Sequence, residues 1–243
     1  MKNAFEKMVT VGLIGTVALM VFTACSLPVR KAKAGSAIVI SNERSIESKI
    51  KAEKTGGWTP AEDATVTEDL EKVFEKATEG LMGVDYIPVS HLGTQLVAGI
   101  NHCFLSKATA VYPGAAPHYA LVYIYERFNG ECEILKIEDI TLPGMENTDS
   151  KPVLGGWSFA EEPEVTEDIA SIVSRAATSK LGASYEAVAY IGSQAVNGTS
   201  HAVLCKISPV VPGAAVRYAL VYINEAPDGC CSITDVTEIV ISA

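Results

Sequence analysis

The stretch PGAAPHYALVYI, residues 113–124, returns as PGAAVRYALVYI at residues 212–223, and this recurrence decides how the chain is organised. A shift of 99 residues extends the match without a gap from Gly56 to Leu142. Roughly 36 of about 87 aligned positions are identical, so we predict two copies of one domain with the same fold.

The repeat sets the boundaries of the segments around it. A Ser-, Lys- and Glu-rich stretch before the first copy is typical of a flexible tether, and the Pro, Gly, Asn and Asp between the copies are typical of a linker. We predict a signal peptide at 1–25, a tether at 26–55, one domain at 56–142, a linker at 143–154 and a second domain at 155–243.

The N-terminus has the pattern of an export signal. After Lys2 and Lys7 comes an apolar run of about 16 residues, shorter than the roughly 20 that span a bilayer. The run ends in Phe22-Thr23-Ala24-Cys25, which resembles a bacterial lipobox. We therefore expect an exported chain with a lipid on Cys25, held at the cell envelope or surface. The alternatives are a soluble secreted chain cut after Ala34, and a retained anchor.

The charge of the chain excludes one class of partner. The formal net charge is −10 at pH 7. Such an acidic chain has no electrostatic reason to bind nucleic acid or an anionic membrane. We expect no nucleic-acid partner, and contact with a membrane only through the lipid anchor.

Each copy is predicted to contain one helix. Thr65 or Thr67 is a candidate N-cap, and Glu68 and Asp69 follow in the first turn, where the helix dipole favours anions. Apolar residues recur at helical spacing in both copies. They are Leu70, Val73, Phe74, Ala77 and Leu81 in the first copy, and Ile169, Ile172, Val173 and Ala176 in the second.

After Gly83 the first copy changes to strand-like segments at 86–92, 104–111, 119–125 and 132–142. The pair Asn129-Gly130 favours a two-residue hairpin turn between the last two segments. One helix followed by such strands predicts an α+β fold, with the helix packed on an antiparallel β-meander. We expect Trp58 and Trp157, which precede the helices, to close one end of each core.

A glycine pair before the helix and a Gln-x-Val-x-Gly hairpin between strands together resemble the cystatin family of papain-like cysteine protease inhibitors. The resemblance implies tandem cystatin-like domains, whose glycine segment and hairpins form a wedge that fills a protease cleft without a covalent bond. The residues it assigns to protease binding in the first copy are Gly56, Gly57, Gln95, Leu96, Val97, Ala98 and Gly99. Those in the second copy are Gly155, Gly156, Gln194, Ala195, Val196, Asn197 and Gly198.

The family's Pro-Trp pair in the second hairpin is absent. Phe128 stands in that turn of the first copy, where it could replace the missing anchor, and Pro227 stands in the second. This difference favours the first copy as the inhibitory one. The alternatives are a non-inhibitory binding or adhesion module, and an inhibitor of another enzyme class; Gln95 and Gly99 could also serve the hairpin alone.

The sequence offers little for catalysis. Only His102 and His201 correspond between the copies, and neither has a Ser or Cys partner at a matching place. The His and Cys spacing fits no zinc pattern. We therefore expect structural histidines, no enzymatic activity, and no cofactor or metal.

Five cysteines remain besides Cys25, an odd number. A bridge between Cys103 and Cys132 would join strands two apart in a meander, roughly 9–10 Å from each other. That separation exceeds the roughly 7 Å limit between the Cα atoms of a disulfide. We expect mostly free thiols, buried in the sheet.

Overall fold

A computed structural model describes residues 56–145 and 155–242. The predicted signal peptide (1–25), the lipid site at Cys25 and the tether (26–55) lie outside the described residues, as does the linker from residue 146 on. The described residues all belong to one compact unit. None of their helices is long and apolar enough to cross a membrane.

Each repeat forms a five-stranded antiparallel sheet and one helix. The first repeat contains β1 (Trp58–Pro60), α1 (Glu68–Thr78), β2 (Val84–Leu96), β3 (Ile100–Ala110), β4 (His118–Glu126) and β5 (Cys132–Asp139). The second contains β6 (Trp157–Phe159), α2 (Glu167–Ala177), β7 (Ala183–Val196), β8 (Gly198–Pro209), β9 (Arg217–Glu225) and β10 (Cys231–Glu238). The sheet orders are β1-β2-β3-β4-β5 and β10-β9-β8-β7-β6.

The helices begin where local chemistry predicts. The Thr67 side chain caps α1 by accepting a hydrogen bond from the Leu70 N–H at 3.4 Å, and Thr166 caps α2 in the same way. Val73 and Phe74 of α1 are buried, which orients the helix against its own sheet.

The predicted α+β class, with tandem cystatin-like domains of one helix on a meander, is wrong. The structure is mostly β, with 49% strand and 12% helix. Each sheet contains a short strand before the helix, β1 or β6, that was not predicted, and the two sheets share a core. The reason is visible in β3, where Cys103, Phe104 and Leu105 are all fully buried. A strand that is apolar on both faces needs cover on both, and a helix covers only one.

The second cover is the sheet of the other repeat. One cluster of buried residues takes side chains from both repeats, while two smaller clusters lie beneath α1 and α2. The shared cluster includes Leu92, Cys103, Leu105, Tyr119, Leu121 and Tyr123 from the first repeat, and Ala189, Ile191, Leu204, Tyr218, Leu220 and Tyr222 from the second. The two repeats therefore stabilise each other.

The contacts between the repeats are reciprocal. The Tyr119 hydroxyl donates to the carbonyl oxygen of Ala160 at 3.0 Å, and the Tyr218 hydroxyl donates to that of Ala61 at 2.8 Å. Tyr119 and Tyr218 hold the same position in their repeats, and so do Ala61 and Ala160. Each repeat therefore makes the same contact to the other, as in the symmetric interface of a homodimer. The chain thus has an internal two-fold arrangement.

The segment after the last strand of each repeat crosses to the other repeat in the same reciprocal way. A Cβ added to Gly192 would lie 3.0 Å from Leu142 Cδ1, and one added to Gly93 would lie 3.2 Å from Ile241 Cδ1. The closest contacts of the two added Cβ atoms are with the carbonyl oxygens of Thr59 and Ser158, so both glycines are needed for β1 and β6 to lie against their sheets, and Leu142 and Ile241 pack over them. Leu142 is only 2% exposed, which makes this tail part of the shared core.

Candidate protein-binding tips

Three segments of the first repeat meet at one end of its sheet. They are the glycine pair at 56–57, the hairpin at 96–99 and the turn at 127–130; we call them together the first tip. The strand register brings them together, because Trp58 pairs with Gln95 and Ile100 pairs with Glu126. The equivalent second tip consists of residues 155–156, 195–198 and 226–229.

The glutamine of the predicted motif holds the first tip together. Gln95 Nε2 donates to the carbonyl oxygen of Gly56 at 2.9 Å, and Gln95 Oε1 accepts from Asn101 Nδ2 at 2.7 Å. Gln194 makes the equivalent bond to Gly155 at 2.8 Å. This side chain fixes the glycine segment against the hairpin.

The motif glycine is also required inside the molecule. A Cβ on Gly99 would collide with the Glu126 carbonyl oxygen and would lie 2.5 Å from the Tyr125 ring. Gly198 has φ +99°, and its added Cβ would collide with the Glu225 carbonyl oxygen. Each glycine therefore lets the hairpin lie against the end of the neighbouring strand.

The residues of the first tip that remain free for a partner are mostly apolar. Leu96 and Val97 are 44% and 40% exposed, Ala98 is exposed, and Phe128 is 78% exposed. The Tyr125 hydroxyl donates to the Ala98 carbonyl oxygen at 2.7 Å and holds the hairpin in place. The first tip is thus a rigid projection with an apolar surface.

The turn that carries Phe128 differs from the prediction. The Gly130 N–H donates to the Arg127 carbonyl, and the Arg127 N–H donates to the Glu131 carbonyl, both at 2.8 Å. The predicted two-residue turn at Asn129-Gly130 is therefore wrong, because three residues, 128–130, lie between the bonded Arg127 and Glu131. The longer turn leaves Phe128 at its outer corner.

The second tip is less apolar than the first. Val196 is 47% exposed, but Ala195, Asn197 and Pro227 stand where the first tip has Leu96, Ala98 and Phe128. Gly155 is exposed and Gly156 is half-buried, as are their counterparts Gly56 and Gly57. The two tips therefore share a backbone arrangement and differ in the side chains they present.

The tryptophans beside the glycine pairs close the ends of the core, as predicted. Trp58 is half-buried, with its ring edge-on to Tyr123 at 5.7 Å between centroids. Trp157 is 8% exposed and packs in the same way on Tyr222 at 5.5 Å. Trp157 is therefore more deeply buried than Trp58.

The two equivalent histidines lie buried beneath the tips. His102 Nε2 is 3.2 Å from a Glu126 carboxylate oxygen, and His102 Nδ1 is 3.4 Å from His91 Nε2. Burial, and then the nearby His102, lowers the pKa of His91 to about 4. In the second repeat, Tyr190 replaces His91 and its hydroxyl lies 3.0 Å from His201 Nδ1. These contacts give both histidines a structural role between neighbouring strands.

All five described cysteines are free thiols, as predicted. Cys103 and Cys132 lie on β3 and β5, which β4 separates. Burial raises the pKa of the Cys103 and Cys205 thiols to about 12, which makes both poor nucleophiles. The expected burial holds only for Cys103 and Cys205, because Cys132 and Cys231 are half-buried and Cys230 is exposed. Within 56–145 and 155–242, no three His, Cys, Asp or Glu side chains are grouped to hold a metal ion.

Sequence reasoning missed the side chains that position the first tip. Asn101 and Tyr125 bond to it directly, yet the second repeat has Ser200 and Asn224 at these places. Comparison of the two copies therefore gave no signal for them. A scan against protein-family models gives no match to this chain, and a search of curated proteins gives no significant match.

Proposed function

We propose that this protein binds a papain-like cysteine protease non-covalently, inserting the first tip into the active-site cleft and inhibiting the enzyme. The observation that carries the proposal is the convergence of a glycine segment and two turns into one projection with exposed apolar side chains. A cleft admits such a narrow projection, and small residues let the backbone approach its walls.

The rigidity of the first tip supports a binding role. Gln95 and Tyr125 hold its segments by hydrogen bonds, so little conformational entropy is lost on association. Phe128 and Val97 supply apolar area that a partner can bury. Loss of one such central contact typically weakens binding by about 2 kcal/mol, or about 30-fold.

The same geometry supports a second candidate, a surface binding or adhesion module without inhibitory activity. Gln95 and Gly99 both have contacts within the chain, so the fold alone requires the motif. Under this alternative the exposed apolar side chains would contact a different protein. Export and lipid anchoring at Cys25 fit either candidate and are part of this proposal.

The test is inhibition of papain and of a cathepsin-type protease by the purified protein. Val97→Asp places a charge on the first tip at an exposed position, and we expect at least a tenfold loss of inhibition. Val196→Asp is the matched control on the second tip and should inhibit like the wild type. Melting temperatures check that both variants fold.

Absence of inhibition at micromolar protein would overturn the proposal for these enzymes. Binding to papain without inhibition would favour the adhesion module. Equal inhibition by wild type and Val97→Asp would show that the first tip does not enter the cleft.

A further inference from the structure

The two repeats frame a mostly apolar cavity of about 200 Å³ beside the first tip. Trp58 and Pro60 of β1 form one wall, and residues at the start of β9 and after β10 form the other. The second wall consists of Val216, Arg217, Tyr218, Glu238, Ile239, Val240 and Ile241. A partner that enters this cavity therefore contacts both repeats at once.

The cavity lies next to the first tip, because Trp58 of its wall adjoins the glycine pair. Trp58 follows Gly56-Gly57 directly and pairs with Gln95, which holds the glycine segment in place. A protein seated on the tip is thus next to the cavity mouth, where Val240 is 73% exposed.

The second repeat carries a larger side chain at the equivalent position. Phe159 replaces Pro60, and its ring centroid lies 6.0 Å from that of Tyr119, the counterpart of Tyr218. Trp157 is correspondingly buried, whereas Trp58 is only half-buried. The fold therefore accepts a large side chain at this position.

We propose that this cavity binds one aliphatic or aromatic side chain of the protein that the first tip binds. The inference rests on the proposed function and extends its binding surface onto the second repeat. Apolar walls that water solvates poorly favour such a side chain. Phe159 takes the place of Pro60 beside the second tip, so one protease molecule should bind per chain.

The first test fills the cavity with the residue that the other repeat already uses. Pro60→Phe should weaken binding to papain at least tenfold while the melting temperature stays at or above that of the wild type. A second variant, Val216→Lys, places a charge in the wall from the second repeat and should weaken binding similarly. Its matched control is Val210→Lys, in the same β8–β9 turn but outside the cavity, which should bind like the wild type.

The outcomes separate the two proposals. If the wild type does not bind papain, the proposed function and this inference both fail. If the wild type binds and Val97→Asp loses binding, but Pro60→Phe and Val216→Lys keep wild-type affinity, the tip is the binding site and the cavity is refuted. A titration that ends at two papain molecules per chain would also overturn the inference.

Discussion

Replacing His91 by tyrosine should make the protein less sensitive to acid. His91 is 7% exposed, its ring lies 5.1 Å from that of Phe104, and His102 is its hydrogen-bonding neighbour. The second repeat holds Tyr190 at the equivalent position, bonded to His201. A tyrosine therefore has a precedent beside the equivalent histidine, where Val203 stands in place of Phe104, and a melting temperature checks that His91→Tyr folds.

The magnitude follows from the pKa of His91, which burial lowers from 6.5 to about 4. The unfolded chain takes up a proton near pH 6.5, but the folded chain resists until about pH 4. The contribution of neutral His91 to stability is therefore present above pH 6.5 and is lost as the pH falls towards 4. A tenfold change in proton affinity is about 1.4 kcal/mol, so the full loss is about 3 kcal/mol, of which about 2 kcal/mol falls between pH 7 and pH 5.

The measurement is the free energy of unfolding in urea at pH 7 and at pH 5, for the wild type and His91→Tyr. Burial also lowers the pKa values of His102 and His201, so both proteins lose some stability in acid. The variant should lose about 2 kcal/mol less than the wild type. The reciprocal variant Tyr190→His should lose more than the wild type. Equal losses in all three proteins would refute the role of His91.

Two further predictions concern packing. Gly99→Ala should destabilise the protein by about 2 kcal/mol or more, because the new Cβ collides with the Glu126 carbonyl oxygen. The control Gly114→Ala, whose new Cβ has open space around it, should cost only about 1 kcal/mol. Urea unfolding measures both. Leu142→Ala should lower the free energy of unfolding by about 2–5 kcal/mol, because the buried side chain packs against the other repeat at Gly192. A loss below about 1 kcal/mol would contradict the packing of the segment after β5 on the second repeat.

The sequence predicts best what depends on neighbouring residues. The Thr67 cap and the acidic first turn place the start of α1 correctly, because capping is a contact over three residues. The strand segments are also found, although β2 and β3 run longer than predicted. Their extra residues continue into the hairpin at Gly99, where the turn pattern suggested an earlier end.

The sequence does not predict what covers the second face of each sheet. Cys103, Phe104 and Leu105 show that both faces of β3 are apolar, but periodicity does not say what packs on them. The answer lies about 100 residues away in the chain, where Leu204 and Tyr218 belong to the same core. β1 is also missed, because a three-residue strand that ends in Pro60 has no periodic signal.

The candidate site shows a different kind of limit. Comparison of the repeats identifies Gln95 and Gly99 because they are identical in both copies, yet the structure gives each a contact within the chain. When two copies share one fold, a residue that is identical in both is explained first by a structural requirement of that fold. A binding surface that only one copy uses is therefore found among the positions at which the two copies carry different residues.

Three such differences cluster at one end of the molecule. Leu96 and Phe128 add apolar surface where the second tip has Ala195 and Pro227, and Pro60 lines a cavity at the position that the larger Phe159 holds in the second repeat. None of the three is required by the fold, because the other repeat forms the same backbone without it. An internal two-fold arrangement would by itself give two equivalent binding ends. The differences break that equivalence, so the second repeat serves the first as a structural partner and as one wall of its cavity.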